Sequence, residues 1–238
     1  MGVIIFNGVP STSCGIQVET PPGYHFPKKE YESVHVPGRN GDLIFETGDY
    51  ENSKREYEIS IVDMKKDFYQ FVERLVSWLH PKNGYCRLED TYDPEVYRMA
   101  RCVDEHDIEN FFSHGAKVTL VFDCKPQRFL KTGEMKSTFT ASNKMMYNPT
   151  NQDSYPKITV YGSGAGQVMI GSYSIELSSI DEYVTIDSEI QDVYKDSMNK
   201  NSTASFPSGF PKMHPGNNGI TFSGGVTSVE VVPRWWAL

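Results

Sequence analysis

The chain has 238 residues, with Lys+Arg 23 against Asp+Glu 31 and a formal net charge of −8. That acidic surplus excludes general DNA or RNA binding, which needs clustered Lys and Arg to neutralise phosphates. An apolar fraction of 38% with 13% aromatics excludes a disordered chain or a coiled coil and leans towards strand.

Taken in chain order, residues 3–6 are a short apolar run stopped by the turn signal Asn7-Gly8. Residues 32–36 and 42–46 read as two strands joined by Pro37-Gly38-Arg39-Asn40-Gly41, whose Asn-Gly is a strong hairpin signal. Residues 55–62 alternate, with Tyr57, Ile59 and Ile61 on one face and Glu56, Glu58 and Ser60 on the other. One helix follows, opened by Asp67 or the lysines before it. Phe68, Phe71, Val72, Leu75, Val76 and Leu79 fall at helical spacing on one stripe, and Pro81 ends it before an Asn83-Gly84 turn. Residues 85–89, 96–103 and 117–124 are further strands. A sheet packed on one amphipathic helix makes an α+β domain ending near Pro126.

Residues 131–156 are polar and read as a linker that adds one strand near 137–140. Beyond them the pattern is β alone: 157–161, 167–170, 173–177, 183–187, 220–223 and 227–232. Gly162–Gly166, Gly171 and Gly224-Gly225 read as turns between these strands. Short, evenly spaced strands predict a sandwich or jelly roll. Residues 197–218 lack periodicity and read as a long surface loop.

Constellations that carry chemistry are sparse. No window approaches the ~18 apolar residues of a membrane span, and the N-terminus has no basic region of the kind that opens a signal peptide. Cys14, Cys86, Cys102 and Cys124 form no CxxC and have no histidine at zinc-ligand spacing, so free thiols and no metal are expected. Asp104-Glu105-His106-Asp107 reads as a solvated turn. The glycine run at 162–166 lacks the Lys-Ser/Thr and following helix of a phosphate loop. Asp181, Glu182 and Asp187 are the carboxylates that could pose as a glycosidase pair. Trp235-Trp236 form either a clasp over a sheet or a sugar-stacking face.

Read together, the motifs resemble the distal tail proteins of long, non-contractile-tailed phages of Gram-positive bacteria. The resemblance begins at Phe6-Asn7-Gly8-Val9 and Ser13-Cys14-Gly15-Ile16. Its most specific point is Val36-Pro37-Gly38-Arg39-Asn40-Gly41-Asp42-Leu43. It continues through Trp78-Leu79, Gly84-Tyr85-Cys86-Arg87-Leu88, Asp93-Pro94-Glu95-Val96-Tyr97 and Phe122-Asp123-Cys124-Lys125-Pro126. In the second half it takes in Tyr155-Pro156-Lys157-Ile158, Val184-Thr185-Ile186-Asp187, His214–Ile220 and Pro233-Arg234-Trp235-Trp236.

The resemblance implies a mainly β fold in two parts. Residues 1–130 would be a ring-forming, split-barrel-like sheet with one helix and a hairpin arm near 33–46. Residues 131–238 would be a linker and a galectin-like β-sandwich. It implies a structural virion protein and not an enzyme, with no cofactor: a homohexameric hub, in one ring or two stacked rings, at the distal end of the tail. The implied partners are the tail tube protein, a tail-tip or tail-associated protein, and receptor-binding or baseplate proteins. Localisation would be the tail tip, with assembly in the host bacterial cytoplasm. A two-stranded hairpin is marginal alone, so the arm is expected to cross to a neighbouring subunit, with Val36, Pro37, Gly38, Arg39, Asn40, Gly41, Asp42 and Leu43 at the contact. The Arg39 fork would hold a carboxylate or carbonyls there. Trp235 and Trp236 would face a docking partner or a glycan. The rival readings are a carbohydrate-binding module for host cell-wall glycans, resting on the sandwich and these tryptophans, and a wall hydrolase resting on Asp181 and Asp187.

Overall fold

The computed structural model describes residues 2–61, 68–82, 84–103 and 118–238, with Phe68 and Val118 described by their backbone alone. The chain forms two compact units, one of the described residues up to Arg128 together with Leu238, the other Phe129–Ala237.

The first unit contains β1 (Ile4–Phe6), β2 (Val9–Pro10), β3 (Ile16–Val18), β4 (Lys29–Val34), β5 (Leu43–Tyr50), β6 (Ser53–Ile61), α1 (Phe68–Leu79), β7 (Cys86–Asp90), β8 (Val96–Cys102) and β9 (Val118–Leu130), the last running on into the second unit. Its main sheet has the order β2-β1-β7-β8-β9-β6-β3. The sheet curls far enough for Gly2, just before β1, to exchange hydrogen bonds of 3.0 and 3.1 Å with Val18 of β3. Strict alternation explains the inner face. Tyr57 and Ile59 of β6, Leu88 of β7, Ala100 of β8 and Leu120 and Phe122 of β9 are all buried. The strand limits expected at Val62 and Lys117, the helix opening at Asp67, the turn residue Asn83 and the run 104–107 lie outside the described residues.

Among the described residues α1 is the single α-helix. Its inner row is Phe71, Leu75, Trp78 and Leu79, all at most 6% exposed. Trp78 is edge-on to Phe6 at 6.2 Å, Phe6 in turn meets Phe122 at 5.1 Å, and the Trp78 indole N–H donates to Val9 O at 3.0 Å. Val76, expected in the stripe, is 42% exposed instead. At about 100° per residue it lies far round the helix from the Phe71–Leu75–Trp78 row, and Trp78 takes the core position.

The second unit contains β10 (Ser137–Phe139), β11 (Lys144–Asn148), β12 (Lys157–Ile170), β13 (Tyr173–Asp187), β14 (Asp192–Lys195), β15 (Met198–Asn199), β16 (Ala204–Ser205), β17 (Gly216–Val232) and β18 (Trp236–Ala237). The order is β10-β17-β12-β13-β14-β15, with β11 also on β17 and β16 on β13. Three of these strands are long, and this corrects the expectation of many short ones. Gly162–Gly166 and Gly224-Gly225 are not turns. They lie inside β12 and β17, where the register shifts between Tyr161 and Gly166. Glycine is required there by close approach: a Cβ on Gly225 would lie 1.8 Å from Ser163 O. Register shifts bend long strands, so one sheet folds over one core. Ile158 and Val160 from one half of β12, and Val168 and Ile170 from the other, share that core and are each 0% exposed.

Two stretches are more ordered than their composition predicts. Residues 131–156 carry β11 as well as the strand near 137–140, and the expected loop at 197–218 carries β15, β16, a short 3-10 helix at Asn201–Thr203 and the start of β17. All four cysteines are free and buried. Burial pushes the Cys14 thiol above its ordinary value and the Cys124 thiol up to about 12. No helix among the described residues is long and apolar enough to cross a membrane.

Candidate functional site

Among the described residues, strands β4 and β5 pair only with each other and form a separate two-stranded sheet. The register is Tyr31↔Glu46, Glu32↔Phe45, Ser33↔Ile44 and Val34↔Leu43. Directly opposed residues share a face, so one face carries Tyr31, Ser33, Ile44 and Glu46, the other Glu32, Val34, Leu43 and Phe45. Both faces are apolar in part and neither is covered: Tyr31 is 54% exposed, Ile44 59% and Phe45 52%.

At the tip, Gly38 and Gly41 have φ of +83° and +80°, which side chains disfavour, and the Arg39 N–H closes the turn on Val36 O at 3.1 Å. Asp42 accepts from the Ser33 hydroxyl at 3.0 Å and lies 3.2 Å from His35 Nδ1. Val36, Pro37, Gly38, Arg39, Asn40, Gly41 and Asp42 are all exposed and Leu43 is half-buried. The tip thus presents a fixed turn with the Arg39 fork in solvent.

The C-terminal tryptophans lie in different surroundings. Trp235 is 5% exposed and belongs to the second core, with Leu130 N–H donating to its carbonyl at 2.9 Å. Trp236 is half-buried, and its indole N–H donates to Asp153 O at 2.8 Å. Between strands and tail, Arg234 holds Asp187 with two bonds of 2.6 and 2.8 Å and reaches Glu189 at 3.1 Å. Burial alone would raise the Asp187 pKa, but Arg234 and backbone N–H groups hold it below its ordinary value. Trp235 has no open ring face to stack a sugar, and Asp187 is already held by a guanidinium. Asp181 and Glu182 both contact the Lys195 ammonium at 3.2 Å and lie exposed within β13. The three candidate carboxylates are not brought together around free space.

Sequence reasoning missed a charged cluster in the first unit. Asp90 is buried on β7. Its Oδ2 accepts from Arg55 (2.8 and 3.2 Å) and from the Tyr57 hydroxyl (2.8 Å), and its Oδ1 from the N–H groups of Tyr92 and Asp93, each at 2.9 Å. Burial would raise the Asp90 pKa; Arg55 and Tyr57 bring it below its ordinary value. Beside this closed group lies an open one. Arg98, with a side chain 8% exposed, makes one long contact of 3.4 Å with Asp93. Burial pulls its pKa down, and the Arg55 and Arg128 guanidiniums pull the same way. Arg128 bonds Asp93 at 3.0 Å and the Tyr24 hydroxyl at 2.7 Å, but its buried Nε has no partner.

Three guanidiniums here face two carboxylates. They line a cavity of about 10 Å³ with Tyr24, His25 and Pro27 at its side. Leu238 reaches the mouth, where its main-chain oxygen accepts from Tyr24 at 3.3 Å. The signal was available: Arg55 stands two residues before Tyr57, in phase with the buried face, and Arg98 stands between Val96 and Ala100 in the same phase.

No family model and no curated protein matches the chain. Solved structures do. The SPP1 Dit protein, described as a paradigm of the hub adsorption apparatus in phages that infect Gram-positive bacteria, matches over 97% of this chain and 98% of its own, with a TM-score of 0.74 at 15% identity. A chain in the phage P2 baseplate in its activated conformation with Ca matches over 97% of each, with a TM-score of 0.52 at 11% identity. The chain therefore has a fold similar to that of SPP1 Dit, a phage hub protein of the kind that the sequence motifs resemble.

Proposed function

We propose that this chain is a structural hub subunit of a phage tail, six copies closing into a ring at the distal end of the tail, singly or as two stacked rings. The observation that carries the reading is the β4–β5 hairpin on a Dit fold. It holds its own turn and register, yet leaves Tyr31, Ile44 and Phe45 more than half exposed. A soluble chain seldom leaves an apolar arm of this kind uncovered. A head-to-tail contact that closes on itself uses two different patches of each copy, and an arm is suited to reach the next copy.

In this reading residues 36–43 lie at the subunit contact, with the Arg39 fork holding a carboxylate or carbonyls of the neighbour. The first unit forms the ring, and the second docks receptor-binding or baseplate proteins. The tail tube protein sits on one side of the ring and a tail-tip protein on the other. The excess of carboxylates suits a channel that lets DNA pass without holding it. The protein works in the virion, after assembly in the host bacterium. A carbohydrate-binding role draws no support from Trp235, whose ring is in the core.

Sedimentation velocity of the purified chain tests the proposal. A species of about six times the chain mass is expected, and deletion of residues 37–41 should leave a folded chain of single mass. A wild-type chain that stays monomeric at high concentration overturns the ring.

A further inference from the structure

The open half of the arginine cluster holds more buried guanidinium donors than carboxylate oxygens to receive them. We propose that Arg98 and Arg128 receive the Glu32 carboxylate of a second copy of this chain, carried in on the exposed face of its hairpin. The proposal rests on the self-association argued above and deepens it by naming both sides of one contact.

The pocket defines the ligand. A guanidinium taken out of water needs a partner, and Arg98 has one contact at the limit of hydrogen bonding while Arg128 Nε has none. A cavity of about 10 Å³ admits a group of about the size of one water. That suits one carboxylate oxygen between two forks and excludes a phosphate ester or a sugar. The rim points to a macromolecule instead of a free ion. Tyr24 and Phe26 sit edge-to-face at 5.0 Å beside the pocket, 45% and 82% exposed. An aromatic pair left in water is covered when a partner docks.

The hairpin supplies the matching surface. Four carboxylates, Glu30, Glu32, Asp42 and Glu46, lie in or beside its regularly paired part, and Glu30 falls at the register shift between Lys29 and Tyr31, outside the regular pairs. Asp42 is engaged by Ser33 and His35, and Glu46 by Lys29. The Glu32 carboxylate makes no hydrogen bond or ion pair with the described residues of its own chain. It lies on the same face as Val34, Leu43 and Phe45. Covering that face removes water from Glu32, so the covering surface must offer a cation. An apolar face with one free carboxylate therefore complements an aromatic rim with spare guanidiniums. Glu32 stands three residues beyond Lys29, about 10 Å along the extended strand β4, and neither residue lines the pocket of its own chain.

The test uses the full chain with Glu32→Gln, Arg98→Met and the pair together, each followed by sedimentation over a concentration series and by thermal melting of the dilute monomer. Each single substitution should raise the concentration for half-assembly at least about tenfold, and the pair should do little more harm than one alone. The Arg98→Met monomer should melt no lower than wild type, because an apolar chain of similar volume replaces a half-paired buried charge. Arg128→Met serves if Arg98→Met does not fold. Wild-type assembly by both single variants, fully additive losses, or an Arg98→Met chain that melts lower and still assembles would each overturn the pairing while leaving the ring intact. A wild-type chain that never assembles removes both readings.

Discussion

In the second unit every long strand finds its cover within the chain. Ile158, Val160, Val168, Ile170, Val229 and Val231 are 0% exposed, Trp235 closes the core, and the buried charges are paired, Asp187 with a guanidinium on two bonds and Lys195 with Asp181 and Glu182. In the first unit the curled sheet is closed in the same manner around Phe6, Tyr57, Phe71 and Phe122, but two features stay open: a hairpin with apolar side chains in water, and a pair of arginines short of carboxylate. The contrast shows where chain-internal folding stops. In one unit the long strands bury a continuous core and the buried charges are paired within the chain. In the other, both are left incomplete, and the contact proposed between copies would supply both.

The largest expected effect tests the closed half of the arginine cluster. Asp90→Ala leaves Arg55 and Tyr57 buried without their acceptor, and it should cost about 3–5 kcal/mol of stability. Chemical denaturation would read this as a lower midpoint at unchanged slope. Arg98→Met, one strand away, should cost nothing in the monomer. Equal losses at the two positions would erase the distinction between closed and open halves. Next is Asp187→Ala in the second unit. It removes the acceptor that ties Arg234 and the tail, and a loss of about 2–3 kcal/mol is expected, reduced from the fully buried case because Arg234 is 27% exposed.

How much of this was legible depended on whether the signal was local. The α1 stripe, the alternation of β6 and the hairpin with its Asn40-Gly41 turn follow from spacing alone, because a period of 3.6 or 2 is written in consecutive residues. Gly162–Gly166 misled for a physical reason: glycine serves both a turn and a close approach between strands, and the sequence does not show which backbone passes by. Val76 was misplaced because a stripe broad enough to include Leu79 has an edge that spacing does not define. β11, Lys-Met-Met-Tyr-Asn, was hidden because its partner Gly216–Ile220 lies about seventy residues away. The arginine pocket was half legible. Arg55 and Arg98 sit in phase with buried neighbours, but that they converge with Arg128 is set by the order β8-β9-β6, which no local pattern encodes.

Acid brings the two closed carboxylates into one experiment. Asp90 and Asp187 both have folded pKa values below the ordinary carboxylate value. Their stabilisation is therefore complete above the unfolded value of about 3.9 and fades as pH falls through the folded values. Between those limits each group costs at most about 1.4 kcal/mol per pH unit. Denaturation midpoints should be flat from neutral pH down to about 5 and fall below about 4. Asp90→Asn should flatten part of that fall. A wild-type midpoint that drops already between pH 7 and 5 would assign the acid sensitivity to groups other than these two.

The smallest effect on the folded chain is expected at the hairpin, where the contrast between the units is sharpest. Phe45 is 52% exposed and stands across from Glu32 in a sheet that pairs with no third strand among the described residues. Phe45→Ser removes little buried area from one copy, so the monomer's midpoint should shift by less than about 0.5 kcal/mol. The same kind of change at Val229, fully buried in β17, removes a side chain from a packed core and adds a hydroxyl with no partner there. Assembly should respond in the reverse order: Phe45→Ser disrupts the contact between copies, while a Val229 variant that still folds keeps it. If Phe45→Ser lowers the monomer's midpoint by several kcal/mol, the arm is packed within its own chain in solution, and its exposed faces are not what holds the copies together.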